Sequence, residues 1–194
     1  MVGITGGIGA GKSIVSKVFQ TLDIPKYDAD SRAKVLMNSN PELVKSISLL
    51  FGQEAYKNDH LNRQYIAAKA FENKGLLTQL NELVHPAVAN DFNEWVDQQT
   101  APYVLKEAAL LFESGSFESL DQMITVTAPK DIRIKRVMAR DGRTEYQVKS
   151  IIINQMSEGE KANRSDYVIE NDDENMVIPQ VLEIHSTLMQ NISG

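Results

Sequence analysis

The chain has 194 residues, 42% hydrophobic and 24% charged, with a formal net charge of −6 and no cysteine. That length suits one globular core with room for an inserted subdomain; the missing thiols exclude disulfides, thiolate metal sites and a cysteine nucleophile, and fit a reducing cytoplasm. The acidic balance argues against nucleic acid as the main partner, and no apolar run approaches the roughly 18 residues of a membrane span.

Residues 1–13, MVGITGGIGAGKS, lack the basic and long apolar regions of a signal peptide and are expected to start structure at once. Residues 2–5 are a short apolar run ending in glycines and predict a first strand. Ile14, Val15, Val18, Phe19 and Leu22 recur at spacings of three and four, which predicts a helix over 13–22. Residues 24–27 read as a second strand, which Pro25 makes short or peripheral. From about 30 to 99 the pattern is almost wholly helical, with an apolar stripe at Leu80, Leu83, Val84, Val88, Phe92 and Trp95. Asn40-Pro41 and Asn73-Lys74-Gly75 punctuate it. Strand patterns return at 103–105, 123–126 and 167–169, with helical patterns between. This alternation predicts an α/β fold with a parallel sheet covered by helices on both faces. The block between the second and third strands is too long for a simple crossover and reads as an inserted substrate region.

Gly6-Gly7-Ile8-Gly9-Ala10-Gly11-Lys12-Ser13 matches the phosphate-loop pattern G-x-x-x-x-G-K-[ST] without a gap. Glycines let successive N–H groups turn toward phosphate oxygens, and the helix that follows adds its positive end. Lys12 is placed to reach the β- and γ-phosphates, and the Ser13 hydroxyl to ligate Mg²⁺. A dinucleotide fingerprint is excluded, because no G-x-G-x-x-G can be read. A GTPase switch is disfavoured by the lack of D-x-x-G and of N-K-x-D. A motor ATPase is disfavoured because the third strand runs Val104-Leu105-Lys106-Glu107 rather than ending an apolar run in Asp.

A small-molecule kinase remains. Asp28-Ala29-Asp30, after the second strand, puts two carboxylates at the sheet edge where ligands of open α/β sheets bind. One can manage a hydroxyl proton and the other hold Mg²⁺ through water; either can instead cap the next helix. Residues 130–164 hold nine of the twenty Lys and Arg against five acids. Arg133, Arg136 and Arg140 share one helix face there, before a break at Asp141-Gly142. Helix, turn and helix with arginines at the turn resembles a closing lid, and equally a solvated surface.

Taken in order, these segments resemble the dephospho-coenzyme A kinases nearly from end to end. The residues that carry the likeness run from Thr5 through Ser13, Asp28-Ala29-Asp30 and Leu83-Val84-His85-Pro86 to Leu110-Leu111-Phe112-Glu113. Arg140-Asp141, Gln155 and Asp166-Tyr167-Val168-Ile169 before Asn171 complete it. The resemblance implies a P-loop kinase core (about 1–29, 100–129 and 165–194), an inserted helical acceptor-binding region (about 30–99) and a helical lid (about 130–164). It implies that Asp30 is the catalytic carboxylate facing the ribose 3′-hydroxyl, and that Lys12 and the lid residue Arg140 act on the phosphates. Gly7, Ile8, Gly9, Ala10, Gly11, Lys12 and Ser13 would hold ATP and Mg²⁺, with Asn171 near adenine. Thr5, Asp28, His85, Leu110 and Glu113 would line the acceptor site. His85 before proline is also an ordinary helix-start residue, and Glu113 can pair with a nearby cation for structural reasons. Two departures stand out. Ala109 replaces the family's usual proline, which would loosen its turn, and Asn171-Asp172-Asp173 lacks the usual glycine. The partners implied are ATP and dephospho-coenzyme A, without nucleic acid or membrane; oligomeric state is left open.

Overall fold

A computed structural model of the chain describes residues 1–193, apart from the side chains of Lys74 and Ser193. The elements run β1 (Val2–Thr5), α1 (Lys12–Gln20), β2 (Lys26–Asp28), α2 (Ala29–Ser39), α3 (Pro41–Phe51), a 3-10 turn (Gln53–Ala55), β3 (Tyr56–Lys57) and β4 (His60–Leu61). There follow α4 (Arg63–Glu72), α5 (Lys74–Val96), β5 (Leu105–Glu107), a 3-10 turn (Ser116–Ser119) and β6 (Gln122–Thr127). The chain closes with α6 (Lys130–Asp141), α7 (Glu145–Ile153), α8 (Glu158–Asn163), β7 (Tyr167–Glu170) and α9 (Val177–Ser193). It divides into two compact units: Met1–Asp28 with the chain from Gln99 onward, and Ala29–Gln98.

The first unit is a five-stranded sheet in the order β2-β5-β1-β6-β7, every pair parallel. Parallel strands need crossovers, which bring helices onto the sheet faces and bury both. Hence Ile4, Leu105, Ile124, Val126 and Ile169 are fully buried, packed with Val15 and Phe19 of α1 and Val181 of α9. A smaller cluster joins Ile134 and Val137 of α6 to Val148 of α7, and Ile8 of the phosphate loop packs against it. Pro25 precedes β2, an edge strand, as its missing donor requires, and its carbonyl accepts from Leu105 N at 2.9 Å.

The third core strand is Leu105–Glu107, two residues later than the 103–105 pattern and inside the run 104–107 read for it in the sequence. Its charged residues are buried: Lys106 is 4% and Glu107 8% exposed. Glu107 tolerates this because its carboxylate accepts from Ser16 Oγ at 2.7 Å and pairs with Lys26 Nζ at 3.0 Å.

The second unit is mostly helical. On α5 the predicted stripe is buried at Leu80, Val84, Val88 and Phe92, spaced by four. Pro86 lies inside this helix, so His85-Pro86 is mid-helix rather than a helix start. The helical reading of 30–99 misses a two-stranded antiparallel hairpin, β3 with β4. Its turn residues Asn58 and Asp59 have φ of 50 and 60°, the left-handed pair of a two-residue hairpin loop. Among the described residues, no helix is long and apolar enough to cross a membrane.

Candidate active site

β1 ends at Thr5 and α1 starts at Lys12, so the phosphate loop spans the carboxyl edge of the sheet, where strand ends open toward a ligand. Gly9 has φ +82°, and a Cβ there would lie 2.5 Å from the Arg133 carbonyl oxygen. Gly11, at φ +97°, is the N-cap of α1, and a Cβ on it would strike Asn171 Nδ2 at 2.0 Å. No other residue type fits either place. α1 has no side-chain cap hydrogen bond and no acid in its first turn. A helix start with those properties suits an anion. The Lys12 ammonium folds back over the loop, donating to Gly6 O at 2.9 Å. Ser13 is exposed on the first turn of α1. These features fit a polyphosphate with its divalent cation: a compact curl of backbone, one fixed positive charge, a helix end and an accessible hydroxyl.

Four side chains from distant parts of the first unit hold this loop. Gly7 N donates to Glu158 Oε1 at 2.8 Å and Ile8 N to Gln155 Oε1 at 2.9 Å. Arg133 Nε donates to Ile8 O at 2.9 Å, and Asn171 Nδ2 to Ala10 O at 2.8 Å. Arg133 is 4% exposed and pairs with Glu158 at 3.2 Å. Burial lowers the guanidinium pKa, and the Glu158 charge opposes that shift.

The three arginines predicted to share a face thus have three situations. Arg133 is buried under the loop. Arg136 donates to Asn171 O at 3.0 Å and pairs with Asp173. Arg140 is exposed, and its fork grips Asp141 through Nε at 2.7 Å and Nη2 at 2.9 Å. That hydrogen-bonded fork raises the Arg140 pKa and lowers that of Asp141.

The residues named for the acceptor are more scattered. Thr5 is buried and donates from Oγ1 to Ala109 O at 3.3 Å. Leu110 is exposed. Glu113 pairs with Lys161 Nζ at 2.9 Å and accepts from Met156 N at 2.9 Å, so the structural partner foreseen for it exists. Lys161 is fully buried, and its ammonium also donates to Ala109 O at 2.7 Å. The Ala109 carbonyl, where the family's proline is missing, accepts from both Thr5 Oγ1 and Lys161 Nζ. Asp28 closes β2, lying 4.0 Å from Lys26. Asp30 and His85 are exposed on α2 and α5.

Sequence reasoning missed Glu158, Lys161 and the Ser16–Glu107–Lys26 group, and took Arg133 only as part of a charge pattern. The Ser157-to-Glu160 capping box was readable as a helix start. Nothing local reveals that the next side chain, Glu158, reaches a residue 151 positions away.

Comparison with known proteins agrees with this arrangement. The family model described as dephospho-CoA kinase matches residues 1–176. A dephospho-CoA kinase of Porphyromonas gingivalis is 39% identical over 188 residues, which cover 96% of this chain and 93% of the relative. A Thermus thermophilus protein of known crystal structure superposes with a TM-score of 0.84 at 31% identity, covering 100% of this chain and 97% of the other. The dephospho-CoA kinase from Campylobacter jejuni shares the fold, with a TM-score of 0.71 at 23% identity over 98% of this chain and 97% of its own. With a phosphate loop at the strand edge of a parallel sheet and likeness along nearly its full length, the chain belongs to the dephospho-CoA kinase family.

Proposed function

We propose that this chain transfers the γ-phosphoryl group of ATP to the ribose 3′-hydroxyl of dephospho-coenzyme A, giving coenzyme A and ADP. The observation that carries this is the preformed loop from Gly6 to Ser13, with Lys12 folded over it and an uncapped helix behind it, in a chain of this family. In the transfer, the acceptor oxygen bonds to the γ-phosphorus while the bond to the β,γ-bridging oxygen breaks. The hydroxyl proton passes to the Asp30 carboxylate and then to solvent. Lys12 neutralises charge on the β- and γ-phosphates, and most of the acceleration comes from placement and charge stabilisation.

Mg²⁺ would be held by the Ser13 hydroxyl together with phosphate oxygens, and supplies charge neutralisation at those oxygens when bound. Among the described residues, no group of three or more His, Cys, Asp or Glu could hold a metal ion by itself; Mg²⁺ shared with substrate phosphates needs none. In this reading residues 30–99 receive the acceptor with Asp28, His85, Thr5, Leu110 and Glu113, while Asn171 lies beside the adenine. Residues 130–164 form the lid. Ile8 packs against α6 and α7, so in this reading closure centres on the turn between them, where Arg140 would exchange Asp141 for phosphate. The location that goes with this chemistry is the cytoplasm.

The decisive measurement is ADP release with Mg-ATP, with and without dephospho-coenzyme A, for wild type and Lys12→Ala. Release that needs the acceptor and falls at least about a hundredfold in the variant is expected. Equal release without the acceptor would overturn the assigned reaction. Hydrogen exchange of 130–164 with and without ATP tests the lid, and unchanged protection at 140–146 would remove it.

A further inference from the structure

We infer that residues 155–161 form a strut that positions the first half of the phosphate loop and the turn after β5 together, with Gln155, Glu158 and Lys161 as positioning residues. The inference deepens the proposed function and rests on it only for the kinetic part of its test.

A glycine-rich loop has no stiffness of its own. Each residue fixed in one conformation costs conformational entropy, and glycine costs most. Gly7 and Ile8 lie outside both β1 and α1, and their amides find side-chain acceptors instead: Glu158 Oε1 at 2.8 Å and Gln155 Oε1 at 2.9 Å. The second Glu158 oxygen accepts from Ala128 N at 3.1 Å, which ties the same carboxylate to the end of β6. A carboxylate beside a phosphate site would ordinarily repel the ligand. Here Arg133, paired with it at 3.2 Å, cancels that charge and donates to Ile8 O. A bond from an amide to a carboxylate is also stronger than one to a neutral acceptor.

The same segment also holds a different loop. Met156 N donates to Glu113 at 2.9 Å, and the buried Lys161 ammonium reaches both Glu113 and the Ala109 carbonyl. Thr125 Oγ1 donates to Lys161 O at 3.3 Å, which fixes α8 to β6. Glu158 and Lys161, one turn apart on α8, thus carry the tie to Gly7 and the ties to 109–113, and Gln155 and Met156 just before that helix add the ties to Ile8 and Glu113. A shift of α8 that loosens one set loosens the other. By linkage, ATP binding that orders the loop is felt at the turn after β5, and acceptor binding at that turn is felt by the loop.

The test reads backbone amide exchange at Gly7 and Ile8 and across 109–114, with affinity for a non-hydrolysable ATP analogue, in Gln155→Ala and Lys161→Met. Gln155→Ala should speed exchange at Ile8 and weaken the analogue about threefold to tenfold. Lys161→Met removes only the far tie and nearly keeps the side-chain volume. It should still speed exchange at Gly7 and Ile8 and raise KM for both substrates more than it lowers kcat. A purely structural lysine would lower the melting temperature and leave the two loop amides unchanged; that result overturns the strut. If Lys161→Met does not fold, Glu113→Gln breaks the same ion pair from its partly exposed side and is read by amide exchange at Gly7 and Ile8 alone. Linked exchange in a chain with no acceptor-dependent turnover would keep the strut and sink the proposed reaction. Normal turnover with unlinked exchange would do the reverse.

Discussion

In the sheet unit, groups around the phosphate loop are held by partners far away in sequence: Glu158 to Gly7, Gln155 to Ile8, Asn171 to Ala10, Glu107 to Ser16. In the helical unit, long-range bonds brace the frame instead. Tyr56 Oη donates to Met37 O at 2.7 Å, Tyr65 Oη to Phe51 O at 3.0 Å, and Arg32 Nε to Asp91 at 2.9 Å. The residues proposed to meet the acceptor there, Asp30 and His85, are exposed on helix surfaces. The contrast matches two physical tasks. A polyphosphate is one rigid charge pattern, best met by donors fixed in advance. In the proposed reaction a long, flexible acceptor would be met by a framed surface, with close placement needed only at the reacting hydroxyl.

Substitutions in each region sharpen this contrast. The largest effect is expected for Asp30→Asn, which keeps shape and removes the base; kcat should fall about 10²- to 10⁴-fold while affinity for an ATP analogue changes little. Steady-state kinetics beside calorimetric binding checks this, and an unchanged kcat would strip Asp30 of its assigned role. Next comes Phe92→Ala in the core of the helical unit, where the ring is 2% exposed and stacks on Trp95 with centroids 6.2 Å apart. It should cost about 3–5 kcal/mol of stability, seen in denaturant unfolding, with analogue affinity preserved in the folded fraction.

Gly9→Ala should do the opposite. Its Cβ would meet a backbone oxygen at 2.5 Å in a left-handed conformation, strain of about 1–3 kcal/mol that reduces analogue affinity about tenfold or more. Unaltered affinity would show that the loop is not held as tightly as its bonds imply. The smallest effect is Gly159→Ala in α8, where an added Cβ meets nothing within 4 Å. It should stabilise the chain by about 0.5–1 kcal/mol and leave KM unchanged.

The fold was legible wherever one period dominated. The alternation of apolar strands with amphipathic helices is local information, and it located β1, α1, β6 and β7 within a residue or two. It was two residues early at β5, where Lys106 and Glu107 are charged yet buried, Glu107 between Ser16 of α1 and Lys26 of β2. It failed at β3 and β4, where strands of two residues are too short to show a period and only Asn58-Asp59 marked the turn.

What the sequence by itself determined is the phosphate loop, because a motif of contiguous glycines, lysine and serine states its chemistry without help from elsewhere. The family followed from the order of several such short segments. Only the tertiary structure decided which side chains brace that loop, and that Arg133, Arg136 and Arg140, one pattern in the sequence, have three different partners. The physical reason is that a hydrogen bond between residues 151 positions apart leaves no trace in local periodicity; it exists only once a parallel sheet has brought the ends of β1 and β6 side by side.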